Sequence, residues 1–318
     1  MSIIDKFSSR NATGNTGTPT GAVSKLGYVT GFILHADGTY ISAADLATFT
    51  AFLAAMQGKT LAATDSRMFP ILTVQGSAND TTAPEEKKAP YGNTVDYVEN
   101  PHIFNYELED LGIGWWEGVR KFNGRSDLRV IILDTKAIHG ELDAAGNFQG
   151  FETNATFLQV VPSTKADYTK YNAKIQLIDP SALSDNCSSI EVPAGTVLKN
   201  KLKGVTDVEL ATVTNAAGVI TVSAVKKISR QSMYSVYADA LAKATAWKLV
   251  DAATGDAITP TGVTKDVDAG AWAIAHGATG SVQVSLVSAA ELAALTPAVG
   301  TSSTGGFESD VLTAVLTQ

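Results

Sequence analysis

The sequence predicts a mainly β protein with a few short helices, an α+β chain organised as two β-rich domains. In the second half of the chain, short runs of alternating apolar and polar residues recur about every ten residues. Turn-forming pairs such as Asp37-Gly38 interrupt runs of this kind. With 318 residues, the chain is long for one domain and comfortable for two.

Residues 1–25 are predicted to form a flexible N-terminal assembly arm. Residues 8–25 carry few large apolar side chains and are rich in Gly, Thr and Asn, whereas Ile3, Ile4 and Phe7 precede them. Apolar residues on such a tether cannot bury themselves locally, and full burial of each is worth about 1.5–3 kcal/mol. We therefore expect Ile3, Ile4 and Phe7 to contact another subunit.

The first domain is predicted over residues 26–187 and begins with a hairpin and a helix. The run "YVTGFILHADGTYI" reads as two strands joined at Asp37-Gly38. An amphipathic helix should follow, capped by Ser42 and ending near Gly58. Its core-facing residues are expected at helical spacing: Leu46, Phe49, Leu53 and Met56.

The next segments predict strands around a long polar loop. "MFPILTVQGS" indicates a strand, and residues 78–93 contain two prolines and the charges Glu85, Glu86, Lys87 and Lys88. An exposed loop of this length is commonly functional or disordered, so we interpret it as a subunit contact. Further strands are predicted for "TVDYVENPHIFNYELED", for the buried run "DLRVIILD", and for the hairpin pair "ATFLQVVPS" and "YTKYNAKIQLID".

The stretch "EDLGIGWWEGVRKFNG" raises the question of a ligand loop. Its glycines miss the dinucleotide fingerprint by one residue, and no Lys-Ser/Thr pair follows as in a P-loop. A short helix ending at Gly124 is the simpler interpretation. Trp115, Val119 and Phe122 would then form its buried face, leaving Trp116 free for a partner subunit.

A second β-rich domain is predicted over residues 188–304, followed by a C-terminal strand at 305–318 that returns to the first domain. Its signals are a hairpin around residues 215–218, the helices "SVYADALAKA" and "SAAELAAL", the latter capped by Ser288, and several short strands. No internal repeat of solenoid type is present.

Composition argues against several functional classes. The net charge of −8 comes without a basic stripe, which disfavours specific nucleic-acid binding. The single cysteine, Cys187, rules out an intrachain disulfide and a cysteine metal cluster. Neither a signal peptide nor an apolar run of membrane-spanning length is recognisable, so we expect a protein made in a reducing compartment and not inserted in a membrane.

The sequence predicts no catalytic, cofactor-binding or metal-binding residues. The four histidines (His35, His102, His139 and His276) lack metal-ligand spacing, and there is no nucleophile elbow. The carboxylates Glu107, Glu109 and Asp110 are read either as an acid–base pair or, preferably, as the polar start of a helix. We therefore expect a protein that is not an enzyme.

The run "APYGNTVDYVENPHIFNYELEDLGIGWWEGVRKFNGRSDLRVIILD" resembles virion structural proteins of tailed bacteriophages. "AWKLVDAATGDAIT" and the closing "FES" strand are similar to the same group. Among virion parts, strands flanked by a helix, a charged loop and an N-terminal arm look most like a tail tube protein.

This resemblance implies a β-sandwich or barrel that assembles as stacked hexameric rings, forming a conduit through which DNA passes without specific binding. The implied partners are copies of the chain and other virion proteins, and the implied location is the phage tail. The alternatives are a capsid decoration protein, a head–tail connector or collar protein, or a bacterial surface β-module.

Overall fold

The structure is a computed structural model that describes residues 4–6, 26–72, 74–81, 85–88, 94–98, 100–109, 113–161, 169–183, 186–202, 204–216, 218–278, 280–295, 299 and 306–314. Strands dominate and helices are short, so the prediction of a mainly β, α+β chain is confirmed. The chain divides into two compact units, Met1–Lys59 with Thr64–Lys199, and Thr60–Ala63 with Asn200–Gln318.

Thirteen strands of the described residues belong to the first unit. They are β1 (Ile4–Lys6), β2 (Val29–Ala36), β3 (Phe69–Ile71), β4 (Val74–Asn79), β5 (Glu85–Lys88), β6 (Thr94–Val98), β7 (Ile103–Leu108), β8 (Leu128–Asp134), β9 (Ala137–Leu142), β10 (Phe148–Gln149), β11 (Phe151–Val160), β12 (Lys170–Leu177) and β13 (Cys187–Glu191). Helices α1 (Phe49–Thr60) and α2 (Ile113–Arg120) and 3₁₀ turns at Ala43–Ala47 and Thr64–Ser66 complete the set.

The buried strand β8 organises this unit. All seven of its residues are buried, as the run "DLRVIILD" predicts. Along one edge it pairs with β2; its other edge is shared by β11, opposite Leu128–Val130, and β9, opposite Ile132–Leu133. The sheet therefore forks at β8, with β9, β13 and β1 on one branch and β11, β12, β7 and β4 on the other.

Gly150 lies at the fork, where the chain leaves β10 and enters β11. A Cβ at this position would lie 2.6–2.7 Å from the backbone of Val130, closer than carbon atoms pack. The Gly150 N–H donates to Nε2 of His35 at 3.0 Å, and its carbonyl accepts from Nη1 of Arg129 at 3.1 Å. The crossing is thus possible only for a residue without a side chain, and two neighbouring strands fix its peptide groups.

Two predicted elements of the first unit differ in the structure. The run after Asp37-Gly38 does not return along β2; Ile41 instead forms a bridge with Phe148, because β8 and β3 already pair with β2. The predicted single helix is a 3₁₀ turn followed by α1, because Thr48 adopts an extended conformation (φ −142°). α1 continues past Gly58 to Thr60, and its buried residues are Phe52, Met56 and Thr60. Phe49 and Leu53, which were expected to face the core, are only partly buried.

The described residues of the second unit form two sheets. Its strands are β14 (Val205–Ala216), β15 (Val219–Lys226), β16 (Trp247–Asp251), β17 (Ala257–Ile258), β18 (Gly262–Asp266), β19 (Ala271–Ala275), β20 (Val282–Leu286), β21 (Gly306–Ser309) and β22 (Leu312–Ala314). They form one sheet in the order β18-β19-β15-β14-β21 and another in the order β17-β16-β20-β22. The helices are α3 (Leu198–Lys201, at the boundary), α4 (Tyr234–Leu241) and α5 (Ala289–Ala294), with a 3₁₀ turn at Ala244–Ala246.

Both sheets contribute to one core in this unit. Trp272 of β19 and Trp247 of β16 lie with ring centroids 5.8 Å apart, and Phe307 of β21 packs edge-on against Tyr237 of α4. Ser288 caps α5 in a capping box with Glu291, which confirms the predicted start of that helix.

Two expected boundaries are placed differently. Residues 187–191 form β13, which pairs with β9, so the division between the units falls after Lys199 and not after Cys187. The closing residues form β21, parallel to β14, and β22, antiparallel to β20. The expectation that the last strand returns to the first domain is therefore wrong, because β14 and β20 offer it edges within the second unit.

We predict that Gly150→Ala lowers the free energy of unfolding by about 1–3 kcal/mol, because the methyl group overpacks the backbone of β8. Gly58→Ala is the matched control: apart from the adjacent residues and the backbone of α1 itself, no atom lies within 4 Å of the position that its methyl group would take, and the change should stabilise by about 0.5–1 kcal/mol. Urea denaturation of both variants gives the comparison. A Gly150→Ala protein as stable as wild type would contradict the described crossing.

Candidate functional site

The tryptophan pair of α2 is arranged differently from the expected pattern. Trp116, Val119 and Phe122 are buried, and Trp116 packs on Tyr171 with ring centroids 4.8 Å apart. The helix ends at Arg120 and a turn follows, so the buried face repeats at three-residue spacing. Trp115, the tryptophan expected to be buried, is half-buried. The prediction that Trp116 is available to a partner is wrong, since only 3% of it is exposed.

The charged segment Glu85–Lys88 is not a loop but strand β5. It pairs antiparallel with β6, and the register shifts between Lys87 and Lys88. Among the described residues, these two strands form a sheet of their own and pair with no other strand. The predicted loop 78–93 therefore contains the end of β4 and one strand of a hairpin, and its remaining residues lie largely outside the described ranges.

The N-terminal arm is described only at Ile4–Lys6. This segment is strand β1 and pairs antiparallel with β13 of its own chain, with Ile4 opposite Ile190 and Lys6 opposite Ser188. Ile3 and Phe7 lie outside the described residues. The backbone of Ile4–Lys6 thus pairs within its own subunit, whereas contact of Ile3, Ile4 and Phe7 with another chain stays a prediction.

A hydrogen-bonded Asp–His–Ser chain lies where β8, β9 and β13 meet. Nε2 of His139 is 2.8 Å from Oδ2 of Asp134, and Nδ1 is 2.7 Å from the hydroxyl oxygen of Ser189. Because a carboxylate only accepts, Nε2–H donates to Asp134; in the neutral imidazole Nδ1 then accepts from Ser189. The three groups have the order of a serine hydrolase triad.

The burial of this chain indicates a structural tie. Asp134, His139 and Ser189 are 3%, 1% and 1% exposed, so no substrate carbonyl can reach the hydroxyl. The carboxylate of Asp134 also accepts from the backbone N–H groups of Gly27, Lys136 and Ala137. The Asp134 side chain thereby links three parts of the unit: the segment before β2, the turn between β8 and β9 and, through His139, strand β13.

Hydrogen bonding determines the ionisation of Asp134. Burial raises the pKa of this carboxyl, but the bonds from His139 and from the three backbone N–H groups outweigh burial and lower the pKa to about 2. Asp134 is therefore ionised, and accepts these hydrogen bonds as a carboxylate, over the pH range in which proteins are normally handled.

Beside the fork, Arg129 bridges several strands. Its guanidinium contacts Glu141 of β9 at 2.5 Å, Glu152 of β11 at 2.9 Å and Asp37, in the turn after β2, at 2.6 Å. The Asp37 and Glu152 side chains are mostly exposed, so their ion pairs add little stability, whereas Glu141 is largely buried. Arg129 therefore links the strands at the fork. It does not form an open anion-binding site, because the three carboxylates already pair with its guanidinium group.

The remaining chemical candidates do not converge. Cys187 is buried, and burial raises the pKa of its thiol to about 11, which makes it a poor nucleophile. Glu107 lies on β7, and Glu109 is 3.8 Å from Nζ of Lys199; Asp110 is outside the described residues. Within the described ranges, no three His, Cys, Asp or Glu side chains are grouped to hold a metal ion.

Among the described residues, no strand pairs with one edge of β11 beyond Thr153; this stretch is called the open edge of β11. β11 pairs with β12 as far as Val160, but on its other side it pairs with β8 only through Thr153. Beyond that point the side chain of Asn123 substitutes for a strand, donating to the carbonyl of Phe157 at 3.0 Å and accepting from its N–H at 2.7 Å. The residues that follow Phe157 are exposed, including the apolar Leu158, Val160 and Val161.

Sequence reasoning missed the two polar clusters. Asp134 and His139 are separated by a turn and Ser189 is 50 residues from His139, so spacing gives no signal. Only the position of Asp134 at the end of a buried strand indicates that its carboxylate needs partners.

None of the helices in the described part of the chain has the length and apolarity to span a bilayer.

Comparison with protein-family models, with curated proteins and with solved structures finds no match to this chain.

We predict that Asp134→Asn lowers the free energy of unfolding by about 2–3 kcal/mol, since bonds to a charged acceptor are lost and an amide N–H meets other donors. We also expect faster hydrogen exchange of the backbone amides of Lys136 and Ala137, because both donate to this carboxylate. Asp143→Asn is a control in an exposed turn and should have a smaller effect. Equal stability of the two variants would contradict the tie.

We further predict an acid-sensitive first unit. Burial lowers the pKa of His35 from 6.5 to about 4, so the unfolded chain takes up this proton first as pH falls. Stability is fully present above pH 6.5 and declines towards pH 4, by up to about 3 kcal/mol. His35→Gln, which keeps an acceptor for Gly150 N–H, should flatten the dependence in this window. Identical pH profiles of the two proteins, from chemical denaturation, would refute the assignment.

Proposed function

We propose that this chain is a structural subunit that assembles with copies of itself, and that the assembly is a virion part of a tailed phage, most like a tail tube. The observation that carries the assembly is the β5–β6 hairpin. An isolated two-stranded hairpin is at best marginally stable in water. A hairpin that pairs with no other described strand therefore needs a surface outside the main sheets to hold it.

The charges of the hairpin suit a contact between copies. The segment Glu85–Lys88 places two acids before two bases and is electrically neutral. Two such segments running antiparallel bring acids opposite bases, which favours a defined register. Assembly through polar contacts of this kind would be sensitive to ionic strength.

The tail-tube part of the proposal rests on the resemblance of residues 89–134 to virion structural proteins. A conduit also agrees with the charge of the chain, because a net charge of −8 without a basic stripe lets DNA slide past without specific binding. A capsid decoration or collar protein is the second candidate. Electron microscopy of purified assemblies distinguishes them, since a tube shows stacked rings.

The decisive variant removes the hairpin while keeping the strands that carry it. The Asp80 N–H donates to the Ile103 carbonyl at 2.9 Å, and the Ile103 N–H donates to Oγ1 of Thr81 at 3.0 Å, so β4 and β7 are adjacent there. We predict that replacing residues 82–101 by Asn-Gly, a two-residue hairpin turn, leaves the melting temperature within a few degrees and abolishes assembly. Normal assemblies of this variant would refute the proposed role.

A charge exchange tests the contact itself. We expect Lys87→Glu with Lys88→Glu to weaken assembly, because four acids then face each other. Adding Glu85→Lys and Glu86→Lys again places acids opposite bases in the antiparallel contact and should restore assembly. Sedimentation velocity at low and high salt measures the effect. If the double and quadruple variants assemble equally, these charges do not form the contact.

A further inference from the structure

The open edge of β11 differs from several other free edges of the described sheets. Edge strands usually carry devices that prevent pairing with another chain, such as bulges, prolines, charges or short length. Here β3 contains Pro70, β18 contains Lys265, and the registers of β4 and β14 shift at Val74/Gly76 and Thr212/Thr214. The segment Leu158–Val161 is short but carries no bulge, proline or charge, and its side chains are exposed.

Alternate peptide groups of this segment face away from β12, towards the open edge. The carbonyl of Glu152 accepts from the N–H of Ile178, next to β12, whereas the N–H and C=O of Phe157 bond to Asn123 on the opposite side. Because peptide groups alternate along a strand, odd-numbered residues point away from β12. The N–H and C=O groups of Gln159 and Val161 therefore lie along the open edge.

We propose that the Leu158–Val161 edge pairs antiparallel with the same edge of a second copy of this chain, with Val160 opposite Val160. In this register Gln159 of each copy exchanges backbone hydrogen bonds with Val161 of the other. A register centred on Gln159 would need the backbone of Phe157, which Asn123 already occupies. The side chain of Asn123 thus limits how far the added strand extends.

The properties of the segment favour a second copy as its occupant. It carries no charge, so antiparallel self-pairing opposes no like charges, and its apolar side chains meet each other. The contact is short and weak by itself, and it becomes effective when another contact already joins the subunits. The inference therefore rests on the proposed self-assembly and adds a second contact to it.

Disulfide trapping tests the register directly. Directly opposed residues in a non-hydrogen-bonded pair have Cα atoms about 4.5 Å apart, within the range of about 4.4–6.8 Å that a disulfide spans. We expect Val160→Cys to form covalent dimers under mild oxidation in the full-length protein. Val213→Cys, equally exposed (43% against 48%) but on the bulged edge of β14, is the matched control. Cys187 adds little background, since it is buried.

Val160→Lys provides the second arm, because a lysine on the edge opposes another lysine in the paired state. It should lower the fraction of associated protein measured by sedimentation velocity, whereas Val213→Lys should leave that fraction unchanged; unchanged melting temperatures show that both variants fold. Dimers of Val160→Cys no more frequent than those of Val213→Cys would overturn the proposed register, as would a fraction of associated Val160→Lys protein equal to that of Val213→Lys. Either result leaves the hairpin replacement free to support or refute self-assembly independently.

Discussion

The crossing of the chain over β8 at Gly150 is the constraint on which the first unit depends. One edge of β8 must serve two partners, β9 and β11, and the chain passes between them with no space for a side chain. His35 and Arg129, both on strands that flank the crossing, hold the two peptide groups of this residue. Two sheet branches can therefore share a single buried strand, and the N–H and C=O of Gly150 at the crossing both keep hydrogen-bond partners.

A second tie operates at the other end of β8. The carboxylate of Asp134 gathers backbone donors from two loops and orients His139 towards Ser189 of β13. Chemically this resembles a catalytic triad, yet its burial converts the same hydrogen bonds into a fastening between strands. Function thus follows from accessibility as much as from the identity and order of the residues.

Periodicity in the sequence was sufficient to predict the fold class and many elements. The alternation in β11 and β12, the apolar run of β8 and the Ser288 cap are local signals, and the structure has them where expected. The sequence predicted Trp115 instead of Trp116 as the buried tryptophan, because a two-turn helix is too short for its apolar pattern to define one face. The Asp134 and Arg129 clusters join residues far apart in the chain, and no local pattern encodes such contacts. The open edge of β11 became visible only when its partner strands were known.

The position of β21 has a consequence for synthesis. Phe307 of this strand is fully buried in the core of the second unit, and β21 and β22 complete both of its sheets. A chain is synthesised from its N-terminus, so the first unit can fold while translation continues, whereas the second unit cannot complete its two sheets until β21 and β22 have been synthesised. A chain that ends before β21 therefore leaves edges of β14 and β20 without the strands that pair with them here.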